Sequence, residues 1–212
     1  MSYKPILFNT EMVKAILEGR KTQTRRLVKQ PPIVGDILHD EKGWYYEDGT
    51  RNGHSLIPPC HPGDILWVRE TFLRCFMTKF LYKADDSEGA VEREFIQKGW
   101  EWKPSIHMPK EAARIFLRVK DVWVEQLREI TQQQAIAEGF PSRLCTALGF
   151  EYKDSEGAEH TQRGIELCVV DFAQLWDSTI KPADRDHYGW DANPWVWVIE
   201  FERIEKPEGW CG

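Results

Sequence analysis

The stretch "ILEGRKTQTRRLVKQPP", residues 16 to 32, sets the first chemical question. Within it, Lys21, Thr22, Thr24, Arg25 and Arg26 offer two hydroxyls and three cations, with Arg20 just ahead of them. Arginine forks bind phosphates or carboxylates bidentately, and threonine hydroxyls add donors beside them. A lysine with a lowered pKa can also serve as base toward a threonine hydroxyl, which then acts as nucleophile. The plain alternative is a strand edge that charge protects from aggregation. Geometry divides these readings. Side chains alternate along a regular strand, so Lys21 and Thr24 would point to opposite faces. Their cooperation requires a turn or bulge, whereas Thr22 and Thr24 share a face without help.

Three further sets carry candidate chemistry. Glu138, in "AIAEGF", closes a short helix, where a carboxylate works against the helix dipole. That placement asks for a partner cation. "WKPSIHMP" holds Ser105 and His107 between prolines that restrain both ends. Aromatic residues form the last set. Trp67 and Trp195 alternate along strands and read as core, although Trp67 and Arg69 share a face with Ile65. Trp190, in the loop "HYGWDANPW", can pack in a core or stack on a base.

Other chemistries are argued against. The six histidines are scattered without metal-ligand spacing, so no metal site is expected. There is no G-x-S-x-G and no Gly-rich phosphate loop, and no cofactor is expected. The net charge of −6 disfavours high-affinity nonspecific duplex binding, although a local basic groove remains compatible with it. Five cysteines at 60, 75, 145, 168 and 211, without C-x-x-C, argue against a disulfide scaffold and for a reducing compartment. No apolar run reaches about 18 residues, so the expectation is a cytoplasmic protein without a membrane partner.

These residues need elements to hold them. The 212 residues, 42% hydrophobic and 29% charged, suit one domain spanning 1–212 with insertions near 36–60, 73–100 and 141–163. "PILFN" reads as a strand. "TEMVKAILEG" reads as a helix capped by Asn9 or Thr10 and closed by Gly19. "GDILHDEKGWYYEDG" reads as a hairpin turning at Asp40 to Gly43. "HPGDILWVRETF" is a turn and a strand, and residues 73 to 103 are a hairpin and loops. "ARIFLRVKDVWVEQL" is a long strand broken near Asp121. "ITQQQAIAEGF" is a helix with a capping box from Thr131 to Gln134. Residues 141 to 163 read as a mobile loop, "GIELCVVDFAQLWDSTI" as an amphipathic helix, and "PWVWVIEFERI" as a strand with Trp195, Trp197, Ile199 and Phe201 on one face. Strands outnumber helices. The expected class is α+β, a small and mostly antiparallel barrel or curled sheet with helices at its ends.

Taken together, "ILEGRKTQTRRLV", "HPGDILWVRETF", "WKPSIHMPKEAARIFLRVKDVWVEQLREIT", "AIAEGF" and "YGWDANPWVWVIEFERI" resemble the ASCH domain. The first looks like that family's G-x-K-x-x-T-x-R signature, and the whole is similar to the larger ASCH-type proteins found in bacteriophage and prophage genomes. The resemblance implies a PUA-like β-barrel with a cleft. It implies two functions: binding of RNA, or hydrolysis of N4-acetylcytidine to cytidine and acetate, as in a small bacterial branch of amidohydrolases. In that branch the proposed catalytic residues are a lysine, a threonine and a glutamate, which match Lys21, Thr24 and Glu138. Arg20, Thr22, Arg25, Arg26, Trp67, Arg69, Ser105, His107 and Trp190 are then expected to bind substrate or nucleic acid. The chain is about twice the length of that branch, so its substrate is open. A modified nucleoside, RNA or single-stranded DNA, or a host protein met by a phage accessory protein all remain in view.

Overall fold

The computed structural model describes residues 1–28, 36–41, 43–47, 53–75, 79–140, 152–153, 159–160 and 163–210. In chain order the elements are β1 (Tyr3–Leu7), α1 (Thr10–Leu17), β2 (Gln23–Leu27), β3 (Ile37–Asp40), β4 (Gly43–Glu47), β5 (Gly53–Leu56), β6 (Ile65–Arg69), β7 (Phe72–Cys75) and β8 (Lys79–Tyr82). There follow α2 (Ala90–Glu94), β9 (Phe116–Gln126), α3 (Gln132–Ala137), β10 (Tyr152–Lys153), β11 (Glu159–His160), α4 (Arg163–Thr179), α5 (Arg185–Tyr188) and β12 (Trp195–Ile204). The class is α+β with mostly antiparallel pairing; β1 and β6 pair in parallel.

The chain divides into two compact units. The first comprises Met1–Thr22, Pro62–Lys120 and Phe201–Gly212, and the second Gln23–His61 and Asp121–Glu200. Strands β9 and β12 run from one unit into the other.

In the first unit the strand order is β1, β6, β9, β12. Phe8, Ile65, Leu66, Phe116, Leu117 and Phe201 are buried there. Helix α1 begins as its sequence requires: Asn9 Oδ1 accepts from Met12 N at 2.8 Å. It ends where Gly19 takes φ +76, a conformation that glycine adopts without a Cβ clash. Residues 73–100 hold the expected hairpin, β7 with β8, and add the short helix α2.

In the second unit β12 lies between β9 and β2. Helix α4 lays Cys168, Phe172 and Trp176 against Val196 and Val198 of β12, together with Leu127 and Ala135. Trp197, on the other face of β12, meets Trp44 edge-on at 6.0 Å. The alternation expected in "PWVWVIEF" is therefore not an inside and an outside. Both faces of Val196–Ile199 are buried, because elements pack on each side. Strands β3, β4 and β5 form a small antiparallel sheet, one strand more than the hairpin read from sequence, with Asp40 opposite Gly43 at its first turn. The expected mobile loop at 141–163 falls largely outside the described residues. Within it β10 and β11 pair, and Arg163 already belongs to α4.

Cys60 and Cys75 are free and buried, but Cys168 is disulfide-bonded. The expectation is a chain without a disulfide scaffold in a reducing compartment, and the bond at Cys168 stands outside it. The fold decides which thiols meet, and their sequence spacing does not. No helix among the described residues is long and apolar enough to cross a membrane. No group of three or more His, Cys, Asp or Glu among them is placed to hold a metal ion.

Candidate functional site

The second unit gathers the chemistry around β2. Its five residues pair antiparallel with β12, and Thr24 stands opposite Ile199 and Arg25 opposite Val198. Alternation puts Thr24 and Arg26 on one face and Arg25 on the other. On the first face, Arg26 Nη1 donates to Thr24 Oγ1 at 2.9 Å and to the Arg25 carbonyl at 3.0 Å. Burial pulls the Arg26 guanidinium below its ordinary pKa, and the Glu138 carboxylate opposes that shift. Thr24 is only 1% exposed.

On the other face, Arg25 is held between two carboxylates. Its Nε and Nη2 donate to Glu125 Oε1 at 2.9 and 2.5 Å, and its Nη1 donates to Glu138 Oε1 at 3.1 Å. The Arg25 and Glu138 side chains are 1% and 3% exposed. The guanidinium also lies over the Phe172 ring, 5.7 Å from its centroid. A buried charge must be paired and hydrogen-bonded, and this geometry achieves that.

Helix α3 places Glu138. Thr131 and Gln134 form the capping box expected from "TQQQ": Gln134 N donates to Thr131 Oγ1 and Thr131 N to Gln134 Oε1. Glu138 is the helix C-cap, and Gly139 leaves at φ +104. The cation that its position against the dipole asked for is Arg25. Glu125 completes the cluster from β9. Its Oε2 accepts from Trp123 Nε1 at 3.0 Å and from Gln134 Nε2 at 3.4 Å. Sequence reasoning missed Glu125. The one signal was its alternation with Trp123 in a strand that turns one face to the core.

The other member from the aromatic set, Trp190, belongs to the second unit's core. Its ring meets Phe172 in a T-shaped contact at 6.1 Å, and its backbone N donates to Asp177 Oδ1. Within "HYGWDANPW" the polar work is done by Asn193, at φ 48. It bonds Arg128 N and Gln126 Oε1 and so secures the end of β9.

The first unit holds the remaining candidates. Arg20 is exposed and bonds Glu18, with Nε to Oε2 at 2.7 Å. Lys21 is 2% exposed, with its ammonium 5.5 Å from the Phe8 ring centroid. It precedes β2, and its backbone N bonds the Ala15 carbonyl, so it does not lie in a regular strand. Thr22 is exposed, and its carbonyl accepts from Phe201 N. Trp67 packs against Ile65, Ala113 and Phe116. Arg69 stacks near Trp67 and donates to the carbonyls of Ile106 and Met108. It thereby clamps the Ser105–His107 turn, in which Ser105 is half-buried and His107 exposed.

A phosphate-binding surface needs cations that face solvent. Here the run is mostly turned inward: Arg25 serves Glu125 and Glu138, Arg26 serves Thr24, and Lys21 is buried. What the second-unit arrangement offers is a hydroxyl beside a guanidinium on one face of β2 and a buried, oriented carboxylate on the other. No family model, no curated protein and no solved structure matches this chain.

Proposed function

We propose that this is an ASCH-type protein on a PUA-like β-barrel, and that it hydrolyses the exocyclic amide of an N4-acylated cytidine. The observation that carries the proposal is the second unit's cluster. On one face of β2 Arg26 bonds Thr24, and on the other Arg25 bonds Glu138, which lies 113 positions from it; the Glu138 carboxylate also acts electrostatically on Arg26. Two of the three residues that the resemblance marks as catalytic, Thr24 and Glu138, thus each have an arginine partner.

In this proposal Thr24 Oγ attacks the acyl carbonyl carbon. The Arg26 guanidinium at 2.9 Å favours the oxyanion form of that hydroxyl. Collapse of the tetrahedral intermediate breaks the carbonyl-to-N4 bond, N4 takes a proton and cytidine leaves. Water then cleaves the ester on Thr24, releasing the carboxylic acid and restoring the hydroxyl. Glu138 carries protons in these steps. The resemblance also counts Lys21, of the first unit, among the catalytic residues. Because Thr24 is 1% exposed, substrate reaches it only when neighbouring atoms give way, which favours a nucleoside over folded RNA.

The test is chromatographic release of cytidine and acetate from N4-acetylcytidine, with Lys21→Ala and Thr24→Val as controls. Absence of turnover across a panel of N4-acylated cytidines overturns the proposal.

A further inference from the structure

We infer that Glu125 is a positioning residue of the proposed site: it orients the Arg25 guanidinium, and through it the Glu138 carboxylate. The inference rests on the hydrolase reading above for its consequence in rate, but its geometry stands without it.

Glu125 uses both oxygens. Oε1 takes two donors from the Nε edge of Arg25, and Oε2 takes one from Trp123 and one from Gln134. Two donors on one oxygen fix where the edge of a planar guanidinium points. Rotation of the guanidinium about its own axis would break both bonds. With that edge held, Nη1 is left to meet Glu138 Oε1 at 3.1 Å. The Gln134 contact adds a second path. Gln134 belongs to the capping box of α3, the helix that ends in Glu138, so Glu125 is tied to both the cation and the helix that set Glu138 in place. The Glu138 carboxylate, carried by α3, is therefore oriented from β9 as well, through Glu125. A carboxylate with only a stabilising role would need the ion pair alone. Four donors that converge from three elements define an orientation as well.

The experiment begins with wild-type turnover of N4-acetylcytidine, followed by Glu125→Ala and Glu125→Gln. Glutamine keeps an oxygen that Nε and Nη2 can use, whereas alanine keeps none. Misplacement of a catalytic group by about 1 Å costs about 10²-fold. The expected result for Glu125→Ala is a kcat lower by about that factor per folded molecule, with KM within about twofold. Glu125→Gln should recover most of the loss. Folded fraction is measured by thermal melting, so that a merely destabilised variant is recognised. An unchanged kcat in Glu125→Ala overturns the inference and leaves the hydrolase reading standing.

If the wild type turns nothing over, that reading fails, and a second readout still decides this one. The Arg25 Nε–H signal in a nitrogen–proton correlation spectrum should be sharp and slow to exchange in wild type and in Glu125→Gln. It should be lost to fast exchange in Glu125→Ala. A signal that survives in Glu125→Ala overturns the inference.

Discussion

Glu138 Oε1 accepts a hydrogen bond from Arg25 Nη1 at 3.1 Å, and the two side chains are 3% and 1% exposed. The glutamate ends a helix where the dipole disfavours it, and the arginine sits in a strand that pairs with β12. Each helps to make the other tolerable in its place, and Glu125 shares in pairing the arginine.

Arg25→Ala should therefore be costly. It strands two carboxylates, Glu125 and Glu138, without their shared cation. Breaking a buried pair in this way costs about 3–5 kcal/mol. Urea unfolding should show a lower midpoint at unchanged slope. A loss below about 1 kcal/mol would mean that the pair does not form.

Thr24 separates stability from activity. Thr24→Val keeps the shape and removes the acceptor of the Arg26 bond, at a cost of about 1–2 kcal/mol. If Thr24 is the nucleophile, the rate falls by roughly 10³-fold or more, while Thr24→Ser keeps a measurable rate. Equal rates for wild type and Thr24→Val would remove Thr24 from the chemistry.

In the first unit, burial raises the pKa of Glu70 above the ordinary carboxylate range, and the hydrogen bond from Arg114 only partly offsets it. Arg114 donates to both Glu70 oxygens and to Asp85, which keeps the guanidinium charged. The folded pKa of Glu70 thus lies above the unfolded one, about 4.3. Its contribution to stability is complete below that value and is lost as pH rises through the folded pKa. Glu70→Gln should flatten this fall in melting temperature. A carboxyl-carbon titration should give a Glu70 midpoint above the ordinary range, and a midpoint at or below it contradicts the assignment.

Thr131→Ala removes the Oγ1 acceptor of the capping box and should cost about 1 kcal/mol. Gln134→Ala should cost more, because Gln134 bonds both Thr131 N and Glu125. Chemical denaturation of the two variants side by side checks the order.

Inward-turned arginines make a poor nucleic-acid surface. Any affinity for single-stranded RNA should keep the same salt dependence in Arg25→Gln as in wild type, since Arg25 makes no phosphate contact in this arrangement. Filter binding at two salt concentrations checks this, and a shallower slope in the variant contradicts it.

Local signals in the chain were readable where one short segment carried its own physics. Asn9 before an apolar period capped α1, Thr131 and Gln134 formed a capping box, and Gly19 and Gly139 took the positive φ that closes a helix. A carboxylate at a helix C-terminus announced a missing cation. Trp197 shows the limit of such signals. A strand buried on both faces has the same alternation as one buried on a single face, until the elements that cover it are placed.

The residue sequence by itself determined the helix caps, the α+β class with mostly antiparallel strands, and the need for a charge partner at Glu138. These follow from hydrogen bonds and periodicities that span a few residues. Only the tertiary structure decided that the partner is Arg25, that Glu125 holds it, that Trp190 joins a core and that the basic run faces inward. Those outcomes depend on contacts between segments far apart in sequence, such as the 113 positions between Arg25 and Glu138. Spacing along a chain carries no information about such contacts until strand pairing and helix packing bring the segments together.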